Sequence, residues 1–179
     1  YYDAIYYTTK TNGKWNGPVN MNEIFRVDWD LFPTSISNDG KTLYLYSSAD
    51  YDGIIYTSSI ENGIWTPIVK LNENINTKYW ETHGYISDDG TTLVFASDRP
   101  GGFGGLDLYI SRLDAEGEWG APVNAGPEIN TPVNEDRPFL IDNGKKLYFA
   151  SQGHYNLGGY DIFMSQLQSN GLWSNPENL

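Results

Sequence analysis

The sequence contains no cysteine, which excludes disulfides and thiolate metal sites from its construction. Histidines number only two, His83 and His154. No His-x-x-x-His, His-Glu-x-x-His or Ser/His/Asp constellation stands at a recognisable spacing. Basic residues are scarce as well: 11 Lys and Arg face 23 Asp and Glu, for a net charge of -12. That balance repels nucleic-acid backbones and anionic membrane surfaces. No apolar run approaches the roughly 18 residues of a spanning helix, so no insertion into a bilayer is expected from this segment. The opening residues, Tyr1-Tyr-Asp-Ala-Ile-Tyr-Tyr7, lack the basic start and apolar centre of a signal peptide. Apolar residues nowhere recur at 3.6 spacing over three turns, so no helix is expected.

What is present is aromatic and glycine-rich. Aromatic residues make up 15% of the chain, mostly tyrosine, beside 19 glycines, a composition of many short strands and turns. The stretch from Asn134 to Leu179 shows the unit. Phe139-Leu-Ile leads through an Asn143-Gly144 turn into Leu147-Tyr-Phe-Ala, and a long loop ending at Gly158-Gly159 leads into Tyr160-Asp-Ile-Phe-Met. Asn170-Gly171 then turns the chain into a last strand at Trp173. Asn-Gly between apolar runs is the strongest short hairpin signal, since a type I′ turn needs positive φ at both central residues. The unit therefore reads as a four-stranded antiparallel meander. Leu147-Tyr-Phe-Ala is apolar at every position, so it should be covered on both faces, as a sheet stacked between copies of itself would be.

The copies are in the sequence. Trp15, Trp65, Trp119 and Trp173 stand 50, 54 and 54 residues apart, each with Gly two residues before it (Gly13, Gly63, Gly117, Gly171). Pro18, Pro67, Pro122 and Pro176 follow them, and Asp39-Gly40 and Asp89-Gly90 repeat the first hairpin. Four strands every fifty or so residues is the signature of a β-propeller. The fold class is thus all-β: about 3.5 four-stranded blades, a half blade at 1–27 and blades at 28–77, 78–131 and 132–179. The repeated tryptophans read as blade-packing residues rather than a ligand cage. Both ends fall inside the repeat pattern, and the segment reads as part of a longer propeller of five to seven blades.

Meander parity puts the tight Asp-Gly and Asn-Gly turns on one rim and the long strand two-to-three loops on the other, with the Ile-Asn-Thr blade connections. Long loops on a rigid scaffold are where binding residues sit. Asp98, Arg99, Phe103, His154, Tyr155 and Asn156 are the candidates there. Asp30, Glu81 and Glu135, which enter each first strand, are placed at the mouth of the central channel.

Asp-Gly-Lys/Thr-x-Leu, Asp98-Arg-Pro-Gly-Gly-Phe-Gly-Gly-x-Asp107, Gly-x-Trp-x-x-Pro-Val-Asn and Ile-Asn-Thr resemble the WD40-like Pro-Asp repeat of TolB-type propellers. They are similar above all to propellers of OmpA-family, peptidoglycan-associated proteins of Bacteroidetes-type bacteria, some of which belong to the type IX secretion and gliding apparatus. The resemblance covers all 179 residues and departs most in the first blade, whose central loop lacks the Gly-Gly pair. It implies a periplasmic or cell-surface, outer-membrane-associated scaffold whose partners are envelope proteins, peptidoglycan-associated or of the secretion and gliding machinery. No peptidoglycan-binding domain is in this stretch, so that activity does not carry over.

Two chemistries compete with a purely structural reading. The carboxylates Asp30, Glu81 and Glu135 either ring the channel, where they suit an oxygen-seeking cation such as Ca²⁺, or accept backbone N–H bonds from the neighbouring Ile-Asn-Thr connection; repetition in every blade favours the second. As a facing pair they would also serve a glycoside hydrolase. Asp107 and Asp161 read as loop caps. A sialidase-type site would need an arginine cluster, whereas Arg26, Arg99, Arg112 and Arg137 occupy unrelated repeat positions. Tyr51, Phe103 and Tyr155 fall in the same loop of successive blades. Aromatics there either grip a peptide or glycan or fold back over their own loops. No nucleophile–base pair or metal cluster stands out, so the expectation is a non-catalytic binding module with no cofactor.

Overall fold

Residues 2–49, 53–155 and 157–179 are described by a computed structural model, and they form antiparallel sheets in sequence order. The partial blade pairs β1 (Tyr6–Tyr7) with β4 (Val19–Asn20), and a hairpin of β2 (Lys10–Thr11) and β3 (Lys14–Trp15) projects from it. The first full blade runs β5 (Phe32–Ile36), β6 (Thr42–Ser47) and β7 (Ile54–Glu61), with β8 (Ile64–Trp65) and β9 (Val69–Lys70) both on β7. The second is β10 (Glu81–Ile86), β11 (Thr92–Ser97), β12 (Asp107–Arg112) and β13 (Val123–Asn124). The third is β14 (Glu135–Ile141), β15 (Lys146–Ser151), β16 (Asp161–Gln166) and β17 (Glu177–Asn178). This is the all-β, four-stranded blade architecture expected from the repeat.

Two expectations need correction. In the second and third blades the fourth strand is not at the tryptophan. Trp119 and Trp173 make only single bridges to Leu113 and Leu167, and the outer strand forms past the proline, at Val123–Asn124 and Glu177–Asn178. Proline cannot donate to the ladder, so the chain leaves the sheet there and re-enters after it. The described residues also include one helix, α1 (Met21–Phe25), capped by Asn20, whose Oδ1 accepts from Asn22 N at 3.0 Å. At five residues it is too short to show periodicity.

The Asn of each connection splices one blade to the next. Asn130 Oδ1 accepts from Leu108 N at 2.8 Å while its Nδ2 donates to Leu108 O at 3.0 Å, and Asn76 does the same for Ile55. An amide with one donor and one acceptor in line satisfies a strand residue as a neighbouring strand would. Asn22, at the corresponding place in α1, accepts from Ile5 N.

Three apolar clusters fill the spaces between successive sheets. Trp65 packs with Met21, Phe25 and Leu31 of the preceding connection. Trp119 packs with Ile55 and Ile75 of the first blade, and Trp173 with Leu108, Ala125 and Ile129 of the second. Each tryptophan therefore lies against the sheet before its own. Trp15 does not follow this pattern: it is 68% exposed, because among the described residues no sheet lies against it. The same reason distinguishes two equivalent strands. Every residue of β11 is buried, whereas β15 alternates between buried and half-buried, with one face open.

Candidate functional site

The channel-mouth carboxylates are built into the blade junctions. Glu81 has no exposure; its Oε2 accepts from Thr77 N at 2.8 Å, and its Oε1 from the hydroxyls of Thr77 and Ser97 at 2.7 and 2.9 Å. Glu135, equally buried, repeats this with Thr131 N, Thr131 Oγ1 and Ser151 Oγ, each at 2.7 Å. Asp30 departs from the set. Its Oδ1 accepts from Asp3 N at 2.8 Å, and it is its backbone carbonyl that takes the Ser47 hydroxyl. Leu31, fully buried, occupies the position that Glu81 and Glu135 hold in the other blades. The three residues therefore form no ring of free oxygens.

Arg99 and His154 also turn inward. Arg99 donates to the carbonyls of Asn74 (3.0 Å) and Ile75 (2.6 Å), to Ser97 Oγ (3.0 Å) and to Glu81 Oε1 (3.2 Å). Its guanidinium lies over the rings of Phe95 and Tyr109 at 5.0 and 5.2 Å. His154 is its counterpart. Nε2 meets Ile129 O at 2.8 Å, so it carries the proton, and the ring sits against Phe149 and Phe163 at 5.8 and 5.2 Å. Both side chains plug the junction between a blade and the connection beneath it, and the His154 ring also lines a groove beside Tyr155. Asp98 is exposed but holds Trp80 N at 2.8 Å.

The long loops lie on the rim that carries the connections, as parity requires. The chain passes so close at Gly104 that a Cβ there would overlap the backbone of Thr131 and Pro132, which limits the position to glycine. Asp107 Oδ2 accepts from Phe103 N at 2.6 Å and Asp161 Oδ2 from Leu157 N at 2.6 Å, so both aspartates cap their loops. What the loops present outward is apolar. Phe103 is 47% exposed, Tyr155 92% and Leu157 95%. Asn178 fixes the loop base by donating to Tyr155 O at 3.2 Å. Beside Tyr155 runs a groove of about 460 Å³ lined by Pro127, Glu128, Phe163 and Asn178. Asn156 and Tyr51 lie outside the described residues. Leu157, in the same loop, is not among the sequence candidates, because the sequence singles out only the aromatic residues at that place.

A second cluster was invisible in the sequence. β10 and β14 each carry a bulge, between Thr82 and Tyr85 and between Asp136 and Phe139, and His83 and Arg137 within them have φ of +36° and +51°. Such backbone is uncommon for residues with a side chain, and bulges re-aim side chains. Here the bulge brings His83 Nδ1 to 3.0 Å from Asp136 Oδ1, which also accepts from Thr82 Oγ1 at 2.7 Å and Arg137 N at 2.8 Å. A carboxylate has only acceptors, so Nδ1 is the protonated nitrogen. Tyr46 of the first blade packs on the imidazole at 5.1 Å, so three blades meet there.

Burial works against the charge on Asp136, but the hydrogen bond and charge of His83, the Thr82 hydroxyl and the Arg137 N–H outweigh it and hold the carboxyl below its ordinary 3.8. A depressed folded pKa stabilises the fold above the unfolded value and loses that contribution as pH falls through the folded one. The thermal midpoint should therefore drop as pH falls from 3.8 downward, and Asp136→Asn should flatten that acid limb. A variant with the wild-type acid dependence would show that the pair does not couple to folding.

Among the described residues no group of three or more His, Asp or Glu side chains could hold a metal ion, and no helix is long and apolar enough to cross a membrane.

No protein-family model and no curated protein sequence matches the chain. Solved structures do. TolB from Acinetobacter baumannii superposes with a TM-score of 0.63 at 17% identity, over 98% of this chain and 37% of that one. A putative TolB from Agrobacterium tumefaciens gives 0.62 at 18% identity, over 97% and 59%. The chain thus spans less than two thirds of either structure, and at these identities the likeness is one of fold: its blades are those of a TolB-like β-propeller.

Proposed function

We propose that this chain is a non-catalytic scaffold that docks partner proteins on its long-loop rim, as a module of a cell-envelope protein. The observation that carries the reading is the pair Tyr155 and Leu157, more than nine-tenths exposed on a loop whose backbone is pinned by Asp161 and Asn178. Large apolar side chains held rigidly in water are the anchors of protein interfaces, because their burial is favourable and little loop entropy is lost on binding. An aliphatic tip beside the tyrosine favours a protein over an envelope glycan, which needs flat aromatic platforms and flanking polar groups. The carboxylate pair that a glycan-cleaving propeller would require does not support that alternative, since Glu81 and Glu135 are buried and saturated by protein donors. For the same reason the reading includes no Ca²⁺ or other cofactor.

The setting rests on the motif resemblance: a periplasmic or cell-surface, outer-membrane-associated protein whose partners belong to the peptidoglycan-associated or secretion and gliding machinery. With a net charge of -12, the scaffold selects a partner with a basic face, and association should weaken as salt rises. The test is a pull-down from envelope extract with Phe103→Ala/Tyr155→Ala/Leu157→Ala. All three side chains are exposed, so stability should stay within about 0.5 kcal/mol of wild type. Partner recovery should fall about tenfold or more. A folded triple variant that recovers every partner at wild-type level would place binding elsewhere.

A further inference from the structure

We propose that the groove beside Tyr155 takes an arginine side chain from a basic partner segment, so that the partner brings to the third blade what Arg99 brings to the second. The inference rests on the reading of the long-loop rim as a docking face, and it names the group that this face holds.

The two junctions differ at matching positions. Arg99 N donates to Ser97 Oγ at 3.1 Å and Gly153 N to Ser151 Oγ at 3.0 Å, so Gly153 stands where the second blade has its arginine. A Cβ at Gly153 would overlap the Thr131 hydroxyl, so no side chain can start there without displacing Thr131. Tyr109 and Phe163 face Asn124 and Asn178 in the same register. The Tyr109 hydroxyl reaches Arg99 O at 3.4 Å, and Phe163 has no hydroxyl. The third blade thus lacks a guanidinium and a phenol oxygen in one place. His154 makes up part of the difference: its ring reaches one carbonyl, Ile129 O, whereas Arg99 holds both Asn74 O and Ile75 O. The space left over is the groove of about 460 Å³. Pro127 and Glu128 wall it from the connection after the second blade, and Phe163 and Asn178 wall it from the third, so the chain builds this junction from both sides.

The walls suit a flat cation. No lysine or arginine lines the groove, and one carboxylate residue does, Glu128. Glu128 is half-buried, and among the described residues it forms no ion pair. Asn74, which also precedes the Ile-Asn-Thr connection, donates to Trp119 O at 2.7 Å. A carboxylate only accepts, so Glu128 cannot make the equivalent bond to Trp173 O. The rings of Tyr155 and His154 offer faces on which a guanidinium stacks, as that of Arg99 does over Phe95 and Tyr109. An ammonium has neither the flat face nor the fork of donors, so arginine is preferred to lysine. The net charge of -12 draws a basic segment toward the rim.

The experiment is an amide chemical-shift titration of the chain with a capped glycine peptide that carries one central arginine, and with its lysine and citrulline counterparts. Citrulline keeps the shape of the arginine side chain and loses its charge. The arginine peptide should shift the amides of Glu128, His154 and Asn178, and the lysine peptide should bind more weakly. Citrulline should bind on the order of tenfold more weakly, the loss of one charge-assisted contact. Glu128→Gln should weaken the arginine peptide by the same factor, and Glu61→Gln, on the opposite rim, should leave it unchanged. The substitution at Glu128 is isosteric, and the same spectra show whether it is folded. Equal binding of citrulline, an unaffected Glu128→Gln variant, or shifts spread evenly over the acidic surface would overturn the inference. If the titration fails while the Phe103, Tyr155 and Leu157 variant still loses its partners, the docking face stands and the arginine site falls. If the titration succeeds while that variant keeps every partner, the arginine site stands and the rim anchors fall.

Discussion

Trp119→Ala should lower stability by about 3–5 kcal/mol, the cost of emptying a buried aromatic site, while Trp15→Ala at the same repeat position should change it by less than about 0.5 kcal/mol. The two residues have the same sequence context and opposite burial, 6% against 68%. Trp119 holds the junction in two ways. Its ring packs with Ile55 and Ile75, and its carbonyl accepts from Asn72 Nδ2 at 2.9 Å and Asn74 Nδ2 at 2.7 Å. Only the ring is lost in the alanine variant, which bounds the effect at the cavity cost. Denaturant midpoints check both. Equal costs at the two positions would mean that the tryptophan acts within its own hairpin and not across the junction. A loss of this size is a large part of the roughly 5–15 kcal/mol that holds a domain folded.

Glu81→Ala should cost about as much, 3–5 kcal/mol by the usual penalty for leaving a buried charge unpaired, and Glu135→Ala less, about 1–3 kcal/mol. The two carboxylates have equivalent hydroxyl and amide partners, but among the described residues only Glu81 faces a guanidinium, that of Arg99 at 3.2 Å with 12% of its side chain exposed. Removing Glu81 leaves Arg99 with the carbonyls of Asn74 and Ile75 and no counter-charge. In the third blade the guanidinium is replaced by His154, whose Nε2 meets the Ile129 carbonyl and which forms no ion pair among the described residues. Pairing Glu81→Ala with Arg99→Met should recover part of the loss, since an ion pair replaced by apolar groups is often neutral. Chemical denaturation of the three variants tests this. If Glu81→Ala costs no more than Glu135→Ala, the ion pair adds nothing to the hydroxyl network.

The repeat was legible because its signals are local. A glycine two residues before each tryptophan and a proline after it set a turn and a strand exit whatever surrounds them. The turns follow the expected type I′ pattern only in part. Asn12-Gly13 and Asn62-Gly63 have positive φ at both residues, whereas at Asp39-Gly40, Asp89-Gly90 and Asn170-Gly171 only the glycine does. The rim that carries the long loops was legible too, because strand parity is a matter of counting. The direction of a side chain on that rim was not. Arg99 and Tyr155 come from equivalent loops, yet one turns into the junction and the other into water. Arg99 fills a slot formed by Phe95, Tyr109 and Glu81, as His154 fills the one at Phe149 and Phe163, and loop sequence does not encode a slot built by other strands.

By itself, then, the sequence determined the period, the strand content, the tight turns and the absence of thiol or clustered histidine chemistry, since each follows from composition or from residues within one hairpin. Tertiary structure decided which polar groups are free. It buried Glu81 and Glu135 and turned Arg99 and His154 inward. It joined His83 to Asp136 across 53 residues of chain, and left Leu157, Trp15 and Ile162 in water. The physical reason is that burial belongs to the space between two sheets. A residue's neighbours in that space come from the adjacent repeat, some fifty positions away, and no local pattern records whether they are there.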